Sequence, residues 1–158
     1  KCLENYAHFL DPVCLKDKEM FLIPINNADL IDNMGGSHWS VLIFYKNGNS
    51  FYYYDSSKIN SNLGHAKQII SKLTDYLELE NPQTNIVKAK SQINGYDCAM
   101  YAIFALNNCI REALMGNMLD HEYLEKLQLS EIDLIKKRSL LAYILNNRKA
   151  YKNRNMFE

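Results

Sequence analysis

His38, Asp55 and Cys98 are the residue types from which a thiol-based acyl-transfer site is built, and the sequence around each suggests how they could meet. His38 stands beside the only tryptophan, at the head of an apolar run from Trp39 to Tyr45. Asp55 closes an aromatic run from Phe51 to Tyr54. Asn47-Gly48 lies between the runs, the strongest short-range signal for a tight two-residue turn. With those two residues as the loop, Lys46 faces Asn49 and Asp55 faces Ser40. His38 is two residues from Ser40 and therefore shares its face of the sheet, because side chains alternate with period two. A three-residue loop would separate His38 from Asp55. The preferred turn sets an imidazole and a carboxylate on one face, within diagonal reach.

The nucleophile candidate lies in the stretch QINGYDCAMY, Gln92 to Tyr101. A tight loop at Asn94-Gly95 delivers Cys98 to the first turn of an apolar helix. There the free backbone N–H groups and the positive end of the helix dipole favour thiolate. His38 is the candidate general base and Asp55 the group that orients it. Gln92 supplies a side-chain amide for a developing oxyanion.

Each residue also has a structural reading. A lone cysteine opening an apolar helix is commonly a small buried hydrophobe. Asp55-Ser56 could simply end a strand, and Trp39 could fill the core. The Tyr52–Tyr54 run reads as sheet packing. Cys109 falls inside the apolar helix and reads as core. His65 and His121 read as solvated. Cys2, His8 and Cys14 have neither the spacing nor the number of a metal site, so no metal or cofactor is expected. The case for chemistry is the conjunction of His38, Asp55, Cys98 and Gln92.

The elements that must position these residues fit one domain spanning residues 1–158. Hydrophobic residues make up 47% of the chain and charged residues 23%, the balance of a globular protein. Eighteen basic residues meet eighteen acidic ones, which removes the electrostatic case for nucleic acid or a membrane surface. No apolar run approaches a membrane span. The four cysteines form no CxxC and no dense disulfide pattern, so reduced thiols are expected. The chain opens with Lys1, not Met, as a fragment of a longer protein would.

Residues 1–12 read as a short helix ending near Pro12. Met20 to Asn26 reads as a strand, with Pro24 placing it at an edge or a bulge, and residues 27–36 as a polar loop. Asn62 to Glu78 is helical, with apolar residues recurring at three and four and Asn62 as its cap. Asn85 to Ala89 is a short strand and Ser91 to Asp97 a loop. Cys98 to Leu114 is apolar on nearly every side, as a deeply buried helix would be. Ser130 to Asn146 reads as an amphipathic helix capped by Ser130, before a polar tail from Asn147. Strands first and helices later imply an α+β domain.

The motifs GGSHWS (Gly35–Ser40), YYDS (Tyr53–Ser56), HAKQ (His65–Gln68), NGYDCAMY (Asn94–Tyr101) and KKR (Lys136–Arg138) resemble the ubiquitin-like-protein-specific cysteine proteases. This is the sentrin/SUMO-specific group of the adenovirus-protease-like clan, and the likeness is greatest to its deneddylase branch. The resemblance runs from about Met20 to the final helix. It implies a papain-like α+β fold, with a small mixed or antiparallel sheet against helices and the nucleophile at the start of a buried helix. It assigns His38, Asp55, Cys98 and Gln92 the roles given above. Ser37, Trp39 and Gly95 become substrate-binding residues, with Trp39 lining a narrow channel over an extended Gly-Gly terminus.

The implied reaction is cleavage after that terminus, first of the neddylation modifier and second of SUMO. Ubiquitin would be the choice for a bacterial effector in host cytosol. The implied enzyme is a monomer in cytoplasm or nucleus. An acetyltransferase of the same clan and a catalytically quiet modifier-binding domain are the alternatives. Ala99 departs from the glycine that usually follows the family's cysteine, and its methyl narrows the site. An upstream modifier-binding segment is only partly represented, leaving the Asn26–Gly36 loop as a candidate contact.

Overall fold

The computed structural model describes residues 8, 10–28, 36–117 and 119–147. Most of the expected first helix and of the 27–36 loop, and the tail from residue 148, lie outside the described residues. Four strands, β1 (Met20–Asn26), β2 (Trp39–Tyr45), β3 (Ser50–Tyr54) and β4 (Gln83–Val87), form one sheet in that order. The helices are α1 (Leu63–Leu77), α2 (Cys98–Leu114), α3 (His121–Lys126) and α4 (Glu131–Asn146). β1 to β3 are antiparallel neighbours, and β4 joins β3 in parallel, with α1 as the crossover. The sheet is therefore mixed and the domain α+β, as the sequence implies.

β2 reads VLIF at its centre because both of its faces are covered. Val41 and Ile43 point into a core with Tyr52, Tyr54, Val87 and the inner face of α2. Leu42 and Phe44 point the other way, to Phe51, Tyr53 and the Ala66–Ile70–Leu73 stripe of α1. On that second face Phe44 lies between two rings, with centroids 4.7 Å from Phe21 and 4.7 Å from Phe51. Such pairs contribute about 1 kcal/mol each beyond the area they bury. Pro24 sits on edge strand β1, where its missing N–H costs no ladder bond.

The hairpin keeps the expected register, with Val41 opposite Tyr54 and Tyr45 opposite Ser50. Asn47-Gly48 occupies the centre of the turn, closed by the Asn49 N–H on the Lys46 carbonyl at 2.8 Å. The left-handed residue is Asn49, at φ 43°. Asparagine tolerates that region better than other residues with a side chain.

Five points differ from the reading of the sequence. α2 is buried along one face only: Cys98, Met100, Tyr101, Ala102, Ala105 and Cys109 are inside, whereas Leu114 is exposed. α4 begins at the Ser130 cap as expected, the hydroxyl accepting from Asp133 N at 3.1 Å, but its apolar residues do not gather on one face. Ile132, Ile135, Leu140 and Leu145 are exposed while Leu134 meets the core. Asn62 occupies the cap position of α1 without capping it, because its side chain is used elsewhere. α3 was hidden in a stretch that reads as polar; Asp120 caps it, accepting from Tyr123 N at 2.7 Å, and Leu124 is its buried anchor. β4 also starts two residues earlier than expected, at Gln83. Among the described residues, no helix is long and apolar enough to cross a membrane.

Cys109 is enclosed in the first core, and burial pushes its thiol up from 9.0 to about 12. Its neutral form is favoured by folding, so its contribution is complete below pH 9 and disappears as pH rises through the folded value. Urea midpoints should therefore fall more steeply between pH 9 and pH 12 in wild type than in Cys109→Ala. Parallel slopes for the two proteins would exclude an ionisable, enclosed thiol at this position.

Candidate functional site

The site lies where β2 begins and β3 ends. Asp55 follows β3 directly, and its side chain is fully buried. One oxygen, Oδ1, accepts from the Ser57 N–H at 2.7 Å and lies 2.5 Å from His38 Nε2. The other, Oδ2, accepts from Tyr53 Oη at 2.5 Å. Tyr53 is two residues before Asp55 on β3 and so shares its face. Burial, reinforced by the hydrogen bond to Asp55, drives the Tyr53 phenol well above its ordinary range, so it remains a neutral donor. A carboxylate this enclosed needs partners on both oxygens, and these three contacts supply them.

His38 is fixed through its backbone by three asparagines. Asn27 Oδ1 accepts from the N–H groups of Ser37 at 2.7 Å and His38 at 2.9 Å. The His38 carbonyl accepts from Asn26 Nδ2 at 3.2 Å and Asn62 Nδ2 at 3.3 Å. Asn62, wholly buried, also donates to the Ile25 carbonyl and to Ser40 Oγ, tying β1 to β2 at their site end. Gly36 permits this arrangement: its φ is +88°, and a Cβ there would come 1.9 Å from Asn26 Oδ1.

Cys98 is the first residue of α2 and is buried. Its Sγ is 3.9 Å from the carbonyl of Ser37, the residue preceding His38. Since Nε2 of His38 faces Asp55, Nδ1 is the ring nitrogen left to exchange a proton. The first N–H groups of α2 have no partner within their own helix and can hold negative charge. Gln92 is brought to the same place. Its N–H donates to the Ser56 carbonyl at 2.9 Å and its Oε1 accepts from Ser56 Oγ at 2.7 Å. One Nε2 proton goes to the Asn94 carbonyl at 2.6 Å, leaving the second for another acceptor.

The structure thus pairs His38 with Asp55, sets Cys98 against Ser37 and ties Gln92 to Ser56, the residue after Asp55. Trp39 is not core filler; it is 41% exposed at the head of β2. Gly95 is exposed, with open space where a side chain would stand. Sequence reasoning missed Tyr53, Ser56 and the three asparagines. Tyr53 had a usable signal, its period-two relation to Asp55; the asparagines had none, since their amides reach the site from the end of β1, the residue after it and the cap position of α1.

A four-stranded mixed sheet between helices, with a buried His–Asp pair beside a helix-opening cysteine, defines the papain-like class of thiol sites. Residues 4–144 match the Ulp1 protease family, C-terminal catalytic domain, and the chain belongs to that family. It is 38% identical over 134 residues to sentrin-specific protease 8 of Homo sapiens, covering 82% of this chain and 60% of that protein. It is 31% identical over 102 residues to NEDD8-specific protease 1 of Arabidopsis thaliana, covering 63% of this chain and 45% of that one. Among solved structures, the SUMO protease Ulp1 with its catalytic cysteine oxidised to a sulfinic acid shares the fold. Its TM-score is 0.61 at 16% identity, covering 90% of this chain and 60% of that one. The chain thus spans about 60% of the human relative.

Two substitutions separate the roles of this scaffold. Tyr53→Phe removes one donor to Asp55 and is expected to lower the rate of Cys98 alkylation several-fold while costing about 1–3 kcal/mol of stability. Gly36→Ala strains the backbone at φ +88° and forces the Asn26 amide away, so it should lower the same rate together with stability. Unchanged alkylation in both variants would show that the thiol does not depend on how His38 and Asp55 are held.

Proposed function

We propose that this chain is a cysteine isopeptidase that cleaves after the C-terminal Gly-Gly of a ubiquitin-like modifier, with the neddylation modifier NEDD8 as its preferred substrate. The observation that carries the reading is the buried His38–Asp55 pair next to Cys98 at the start of α2. Family membership and the names of its relatives support the modifier choice. We take residues 1–158 as one catalytic domain acting as a monomer, in cytoplasm or nucleus.

In this mechanism His38 takes the Cys98 proton through Nδ1, and the imidazolium that forms is held by Asp55. The thiolate attacks the carbonyl of the terminal glycine. The oxyanion is met by the free Nε2 proton of Gln92 and by backbone N–H groups of the first turn of α2. Collapse breaks the C–N bond, and the proton held by His38 goes to the departing amine. Water, deprotonated by His38, then attacks the thioester and releases the modifier with a free carboxylate. Trp39, Ser37 and Gly95 line the approach. Gly-Gly fits there because its backbone can come close to an aromatic wall where any side chain would clash.

The test uses NEDD8, SUMO and ubiquitin, each carrying a C-terminal electrophile, with intact mass as the readout. A NEDD8 adduct on wild type that Cys98→Ala abolishes is the expected result. An adduct with SUMO or ubiquitin alone would overturn the modifier choice, and an adduct surviving in Cys98→Ala would overturn the nucleophile.

A further inference from the structure

Asp97 precedes the proposed nucleophile, and its carboxylate is almost wholly buried. Its backbone is placed as a helix cap, the carbonyl accepting from Met100 N at 2.8 Å and Tyr101 N at 3.1 Å. An aspartate at that position ordinarily turns its carboxylate back onto the first free N–H groups of the helix. Here it makes no such bond. Oδ2 instead accepts from Asn94 Nδ2 at 2.6 Å, and Oδ1 pairs with the Arg138 guanidinium. Arg138 belongs to α4, and its guanidinium carbon lies 5.3 Å over the Tyr96 ring. α4 thereby grips the loop that delivers Cys98 from outside the catalytic residues.

Two consequences follow for Cys98. A buried carboxylate one residue away would oppose a thiolate, and the Arg138 cation offsets that charge. With the carboxylate drawn aside, the opening N–H groups of α2 stay free for anionic sulfur or an oxyanion. The other ionisable groups around this loop are Lys90, Tyr96, Tyr101 and Glu131, which line the same cavity of about 410 Å³ as Asp97 and Arg138, and His38 with Asp55 on the sheet side. Of these, the Arg138 cation is the one in direct contact with Asp97.

We propose that Arg138, acting through Asp97, is a positioning residue that keeps the start of α2 free to hold negative charge at Cys98. This rests on reading Cys98 as the nucleophile. The test follows iodoacetamide alkylation of Cys98 against pH by peptide mass, alongside turnover of a NEDD8 fluorogenic amide. Alkylation requires no modifier, so it decides the role of Arg138 even where turnover fails.

Arg138→Gln is expected to slow alkylation at neutral pH about tenfold and to move its profile up by about one pH unit. Its kcat should fall by a similar factor with KM within about twofold. Arg138→Lys should retain most of the rate, and Asp97→Asn with Arg138→Gln should restore the profile. Asp97→Asn alone, leaving the cation unopposed, should move the profile down, and this variant decides the matter if Arg138→Gln does not fold. A profile unmoved in Arg138→Gln, a double variant displaced as far as the single, or an unmoved or raised profile in Asp97→Asn would each overturn the proposal.

Discussion

The hydrogen bond between His38 and Asp55 is the contact on which the rest of this structure depends. Both groups are nearly sealed from solvent. A buried carboxylate is tolerated only when its oxygens are fully engaged, and charge-assisted bonds of this kind are strong when they are. Asp55 meets that condition with Tyr53, Ser57 and His38, all drawn from within or beside one hairpin. The hairpin register that fixes two apolar cores, one on each side of β2, also fixes this pair. A slip of one residue would exchange the cores and separate the imidazole from the carboxylate in the same step. Stability and the candidate chemistry are thus constrained by one register.

Around that pair the chain spends asparagines instead of charges. Asn26, Asn27 and Asn62 hold the backbone of Ser37 and His38, so the imidazole is aimed by neutral amides that carry no charge of their own. Gly36 is the steric condition for this clamp. On the other side, Ser56 fixes Gln92, and Asn94 with Arg138 fixes Asp97. The sheet end and the opening of α2 are therefore joined twice, through Ser56, Gln92 and Asn94, and at the 3.9 Å contact between Cys98 and Ser37.

Much of this was legible before any coordinates. Period two and an Asn-Gly turn were enough to pair His38 with Asp55, because strand parity is a local property. α2 was legible in both position and first residue, since a tight loop and an apolar run mark its start. What escaped was non-local. Asn62 reads as a helix cap because that is the common use of its side chain. Its actual partners come from β1 and β2, which no window around Asn62 contains. α4 misled in the opposite sense: its apolar residues suggested a buried stripe, yet Ile132, Ile135 and Leu140 stand exposed beside a helix held partly by the Arg138–Asp97 pair. Periodicity reports which residues could be buried, and the neighbours decide which are.

The measurement that tests the central claim most directly is proton NMR of the imidazole of His38 with ¹⁵N-labelled protein. The His38–Asp55 bond should give one downfield, exchange-protected proton on Nε2, present in wild type and in Cys98→Ala and absent in Asp55→Ala. A protected proton on Nδ1 instead, or an Nε2 proton that survives in Asp55→Ala, would contradict it.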